Sequence, residues 1–69
     1  MTRGTVVEYD TDNDQGYIQP DENDDRIPFD RDSLVGFGAG ERPKPGDRVS
    51  FEIEGGMAGL WAVNVRRVA

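Results

Sequence analysis

The chain has no cysteine and no histidine, and both absences narrow what it can do. Without thiols there are no disulfides, thiolate metal sites or cysteine nucleophiles; without imidazole there is no histidine ligand and no general base titrating near neutral pH. Long hydrophobic runs are missing too. No apolar stretch approaches the ~20 residues of a membrane-spanning helix, and the opening MTRGTVV lacks the apolar segment of a signal peptide. The expectation is a soluble cytoplasmic protein with no membrane contact. Basic charge is scarce: eight Lys and Arg stand against 14 Asp and Glu, for a net charge of −6. Binders that track a nucleic-acid backbone usually present a basic surface, so any such binding here has to be local.

What is present is dense punctuation between short apolar runs. Nine Gly, four Pro and no sustained 3.6-residue periodicity in 69 residues argue for β-structure throughout. Strands are expected at residues 3–10, 15–19, 26–30, 48–54 and 60–68. The clearest is RVSFEIE at 48–54, where Val49, Phe51 and Ile53 alternate with polar neighbours, so one face is buried and the other wet. Val6, Ile18, Ile27 and Phe29 take the inward positions of the other strands. Pro28 has no N–H to donate, which places its strand at an edge or beside a ladder gap. Asp32 is expected to cap one helical turn through Leu34. Residues 35–46, VGFGAGERPKPG, read as a Gly/Pro-rich loop. Five short strands without a long helix describe a small, partly open antiparallel barrel, an OB-fold, spanning residues 1–69 as one domain.

The richest stretch is DQGYIQP at 14–20. A strand entered through Gly16, with Tyr17 and Ile18 on opposite faces and Pro20 at its end, holds one ring toward solvent and one aliphatic in the core. An exposed ring of this kind is a stacking platform for bases, and stacking tolerates any sequence because every base has a π-face. Carboxylates alternate at Asp10, Asp12 and Asp14 as in a calcium loop. The turn glycine is out of register, however, the final ligand would be Asp instead of Glu, and flanking helices are absent. A solvated hairpin turn accounts for the run, and no metal or other cofactor is expected.

Taken in order, RGTVVEYD, GYIQP, RIPFD, PGDRVSFEIE and GLWAVNV resemble the successive strands of a bacterial cold-shock protein from Arg3 to about Val65. Each piece alone is weak; their order and spacing carry the resemblance. It implies an OB-fold that binds single-stranded RNA or DNA by stacking bases on aromatics of the second and third strands, with help from the first. Much of that chemistry is altered. Where the family has lysine, tryptophan and phenylalanine on the first strand, this chain has Val7, Glu8 and Tyr9. On the second, a lysine and an outer phenylalanine give way to Asn13 and Gln15. The third reads Ile27, Pro28, Phe29 and Asp30 for valine, phenylalanine, valine and histidine, followed by Arg31. The candidate site is therefore Tyr17, Tyr9, Phe37, Arg31, Gln15 and Trp61. Tyr17 keeps its register, and Phe37, between two glycines, is expected to be exposed. Arg31 is placed to reach a phosphate unless Asp30 and Asp32 neutralise it. Two placements are open to Trp61: closing the barrel floor, or supplying a replacement aromatic.

Two functions of different class follow. One is weak single-strand binding by a monomer acting as a chaperone or regulator of expression. The other is an interaction module on the same barrel, in which Phe37, Trp61 and the acidic loops meet a basic protein partner. No reaction class can be assembled from these residues, so an enzyme is not expected.

Overall fold

The computed structural model describes residues 2–68. Five strands, β1 (Thr2–Asp10), β2 (Gln15–Pro20), β3 (Ile27–Asp30), β4 (Arg48–Gly56) and β5 (Gly59–Arg67), form one sheet in the order β3-β2-β1-β4-β5. Every neighbouring pair is antiparallel. The two outer strands share no ladder. A single parallel bridge between Leu34 and Val65 spans the gap, with the Val35 N–H donating to the Val65 carbonyl at 2.8 Å. This is the partly open OB-type barrel expected from the strand pattern, with Pro28 on its edge strand. No helix among the described residues is long and apolar enough to cross a membrane.

The turns form where short polar side chains can bond their own backbone. At the β1–β2 connection Asp10 accepts from the Asp12 N–H and from Asn13 Nδ2, both at 2.9 Å, while Asp14 takes a left-handed conformation at φ 52°. The alternating carboxylates are thus a hairpin turn. In the β2–β3 loop, Asn23 accepts from the Asp25 N–H, and its own carbonyl accepts from Gln19 Nε2 at 2.6 Å. The short 3-10 turn is Arg31–Ser33, so it is capped two residues earlier than expected, and Asp32 lies within the turn instead of capping it. Asp30 occupies its cap position without a capping bond, and the Ser33 hydroxyl donates to Asp30 Oδ1 at 3.2 Å.

Val6, Ile18, Ile27, Phe29, Val49, Phe51, Ala62 and Val65 make the core, with Tyr9 and Leu34 packed against it. Ile53 departs from the expected alternation and is 39% exposed. It faces the same side as its partner Ala62, but it lies where the β4–β5 hairpin runs out beyond the barrel, and residues 52–61 are all exposed. A period-two pattern reports which side a residue faces; it does not report how far the core extends along the strand.

Two bulges set what faces outward. The β1–β2 register shifts between Val6 and Glu8, so that Val6 opposes Ile18, Glu8 opposes Tyr17 and Tyr9 opposes Gly16. Val7 is the extra residue, and the shift turns Glu8 out and Tyr9 in. The second lies on β5. Ser50 pairs with Arg66 and Glu52 with Val63, leaving Asn64 and Val65 opposite Phe51, with Asn64 at φ 53°. That extra residue lets Val65 and Ala62 both face inward, and it sends Trp61 outward.

Candidate nucleic-acid interface

The packing beneath the outer face begins at Gly16. Its cross-strand neighbours are Tyr9 and Phe29, whose ring centroids lie 5.7 Å apart and tilted by 30°. A Cβ at Gly16 would meet the Glu8 carbonyl oxygen on one side, and Phe29 Cε1 and Cζ, each at 3.0 Å, on the other. Only glycine fits there. With the two rings closed over Gly16, strand alternation sends the next residue, Tyr17, outward, where it is 42% exposed beside Glu8 and Pro28.

Trp61 reaches the same face from β5. Its ring edge lies against Gly56, where a Cβ would stand 3.2 Å from Cη2, and it remains 37% exposed. Of the two placements open to it, closing the barrel floor is excluded, because the ring faces outward. Tyr17 and Trp61 border a concavity of about 500 Å³ that is also lined by Gln15, Pro28, Phe29, Asp30, Asp32, Ser33, Val63 and Asn64. That volume falls within the range of small-ligand sites. A smaller hollow on the other side of Tyr17 is bounded by Glu8, Asp10 and Gln15.

The remaining sequence candidates are placed elsewhere. Tyr9, expected among the stacking residues, turns inward through the Val7 bulge. Its hydroxyl donates to Asp14 Oδ1 at 3.3 Å. Burial, reinforced by the Asp14 carboxylate, pushes the phenol above its ordinary value. Phe37 is half-buried instead of exposed, because the Arg67 guanidinium lies over its ring at 4.3 Å while bonding Glu41 Oε2 at 2.6 Å. It does not line the concavity. Arg31 is drawn to Asp14, Nη1 to Oδ2 at 3.9 Å, and not to Asp30 or Asp32; Arg42 Nε approaches the same carboxylate at 3.3 Å.

Consequently no lysine or arginine lines the concavity, and among the described residues neither Asp30 nor Asp32 has a basic ion-pair partner. Other acids are better matched. Asp21 accepts twice from Arg48 at 2.7 Å, and these bonds hold its carboxyl below the usual range. Glu41 is lowered chiefly by the Arg67 bond and then by the Gly38 N–H. Among the described residues no group of three His, Cys, Asp or Glu is arranged to hold a metal ion. Sequence reasoning passed over Asp30, Asp32 and Asn64 as site residues. Asp30 was visible as the residue at the family's histidine position and Asp32 as a helix cap, both also as neighbours of Arg31, and Asn64 gave no signal because its bulge depends on β4.

No protein-family model and no curated protein matches the chain. Solved structures do. One is a chain of cold-shock domains from Drosophila Unr, CSD456, at a TM-score of 0.80 and 16% sequence identity, covering 99% of this chain. The match takes up 26% of the Unr chain's length. At that identity the likeness is one of fold: this chain has a cold-shock-domain-like OB-fold.

Proposed function

We propose that the chain is a non-catalytic binder of single-stranded RNA or DNA that stacks bases on Tyr17 and Trp61. The observation that carries the reading is the pair of outward rings bordering one concavity on the face where cold-shock domains carry their aromatics. Each stacked base contributes about 1–3 kcal/mol. With Glu8, Asp10, Asp30 and Asp32 around the rings and no cation in the concavity, phosphates gain little, so affinity is set by stacking and is weak. Such a protein acts stoichiometrically, as an RNA chaperone or a regulator of expression.

Trp61 is the only tryptophan and reports directly on the face. Titration with short mixed-sequence oligonucleotides should quench its fluorescence, and Tyr17→Ala should weaken binding by the ~1–3 kcal/mol of one stacked base while leaving the fold intact. Unchanged affinity in that variant would remove Tyr17 from the site. A second reading has an observation of its own: carboxylates without cationic partners beside exposed rings suit a lysine or arginine side chain of a basic protein. Quenching by a basic peptide with none by oligonucleotides would favour it.

A further inference from the structure

A second cluster stands on the outer side of the sheet, and none of its residues lines the concavity. On β4, Val49 and Phe51 belong to the core, so Ser50 between them points outward. Both of its cross-strand partners are arginines, Arg3 on β1 and Arg66 on β5. Their neighbours Gly4 and Val65 are buried, which places the two arginines on the outer side as well, where both are exposed. Among the described residues neither has an ion-pair partner. The carboxylates that flank the cluster are engaged elsewhere. Asp21 is held low first by its hydrogen bonds from Arg48 and last by the charge of Arg3, which makes no bond to it. Glu52 accepts from Asn64 Nδ2 at 3.3 Å. Ser50 itself is 8% exposed, yet its hydroxyl makes no hydrogen bond to another described residue and is not sealed from solvent. A nearly buried donor without a partner thus opens to the surface between two unpaired cations.

We propose that Arg3, Ser50 and Arg66 form a binding site for a phosphate group, an inference that does not rest on the stacking platform. Neighbouring strands lie about 4.8 Å apart, so the two arginine backbones are about 10 Å apart with Ser50 midway. Side chains of that length converge from both sides on one group above the hydroxyl. Each guanidinium presents a planar fork that matches a pair of phosphate oxygens, and the serine O–H supplies a third donor from below. Arginine stems laid over a serine only to cover it would need neither unpaired guanidinium heads nor a hydroxyl without a partner. Two sources can supply the phosphate. One is a small phosphorylated molecule. The other is a nucleic-acid strand leaving the platform, because Trp61, Val63 and Arg66 share the outer side of β5 and Val63 lines the concavity.

The test follows backbone amides of the whole chain while sodium phosphate replaces sodium chloride at constant ionic strength and pH. The amides of Arg3, Ser50 and Arg66 should shift and saturate. Arg3→Gln and Arg66→Gln should each weaken binding by about tenfold, the loss of one charge-assisted contact, and the double variant should abolish it. Ser50→Ala should also weaken binding without lowering the thermal midpoint, since the hydroxyl bonds nothing in the fold; a serine with only a structural role would move the midpoint and not the binding. Oligonucleotides of about 4 and about 12 nucleotides separate the two sources. If the strand supplies the phosphate, the longer one alone shifts the Arg66 amide and inorganic phosphate competes with it; if a small molecule does, neither strand shifts it. Shifts that rise without saturating, full affinity in Ser50→Ala, or binding that survives the double arginine variant would overturn the proposal and leave the stacking platform standing. Failure of both strands to bind the platform would overturn the nucleic-acid reading and leave this site standing.

Discussion

Gly16→Ala is the substitution whose effect follows most directly from the packing. The added methyl would sit 3.0 Å from two carbons of Phe29 and against the carbonyl oxygen of Glu8. Neither neighbour yields easily. Phe29 is 3% exposed and lies against Tyr9, and the Glu8 oxygen is backbone held in the β1–β2 pairing. The strands must part, and overpacking of this kind costs about 1–3 kcal/mol, with the upper end expected where one contact is backbone. A chain of 69 residues has about 3–10 kcal/mol in total. Thermal unfolding followed by far-UV circular dichroism should therefore show a midpoint lowered by about 4–8 °C for each kcal/mol lost. A second substitution separates the two contacts. Phe29→Leu removes the ring atoms at Gly16, so it should cost less in the Gly16→Ala background than in the parent. A parent-like midpoint for Gly16→Ala, or strict additivity of the pair, would refute the argument that the Tyr9 and Phe29 rings closing over Gly16 place Tyr17 outward.

Three other outcomes follow from the core and the charge pairs. Phe51 is 1% exposed, and Phe51→Ala should cost about 3–5 kcal/mol, most of the stability available; cooperative urea unfolding at the parent midpoint would contradict its place in the core. The Arg48 bonds lower the folded-state pKa of Asp21, so their stabilisation is present above the ordinary carboxylate range and lost as pH falls through the lowered value. Arg48→Ala should therefore destabilise at neutral pH, with an effect that begins to shrink near pH 4 and fades as pH falls through the lowered value, as read from denaturation midpoints across pH. The Tyr9 phenol is raised by burial and then by Asp14, so its contribution is present below the ordinary tyrosine value and lost as pH rises through the folded one. Tyr9→Phe should flatten the alkaline limb of the stability profile above about pH 10, and an unchanged limb would place the ring in solvent.

Much of the barrel was legible in the sequence because alternation and punctuation are local signals. Val6, Ile18, Ile27, Phe29, Val49 and Phe51 could be assigned inward from period two alone, and Pro28 confined its strand to an edge or a ladder gap. What escaped depends on contacts distant in the chain. The Val7 bulge that inverts Glu8 and Tyr9 exists only against β2, and the Asn64 bulge that frees Trp61 exists only against β4. Phe37 looks exposed between its glycines until Arg67, 30 residues later, is seen lying over it. Ile53 continues a clean alternation past the end of the core, which no local pattern can report. The site was half legible for the same reason. Tyr17 sits in a strand with its own signature, whereas its partner Trp61 and the carboxylate rim are assembled by the closing of β5 toward β3.

The central claim is that an outward face holding Tyr17 and Trp61 binds single strands by stacking, with little help from charge. Backbone amide shifts recorded during titration with a short oligonucleotide, at low and at moderate salt, test it most directly. The account predicts shifts confined to residues 15–19, 28–33 and 61–64, with an affinity that is micromolar or weaker. It also predicts almost no salt dependence, because each phosphate neutralised on a single strand would add about −0.7 to the slope of log K against log salt. Unmoved amides on that face, with shifts at residues 35–40 on adding a basic protein instead, or tight binding with a steep salt slope, would contradict it.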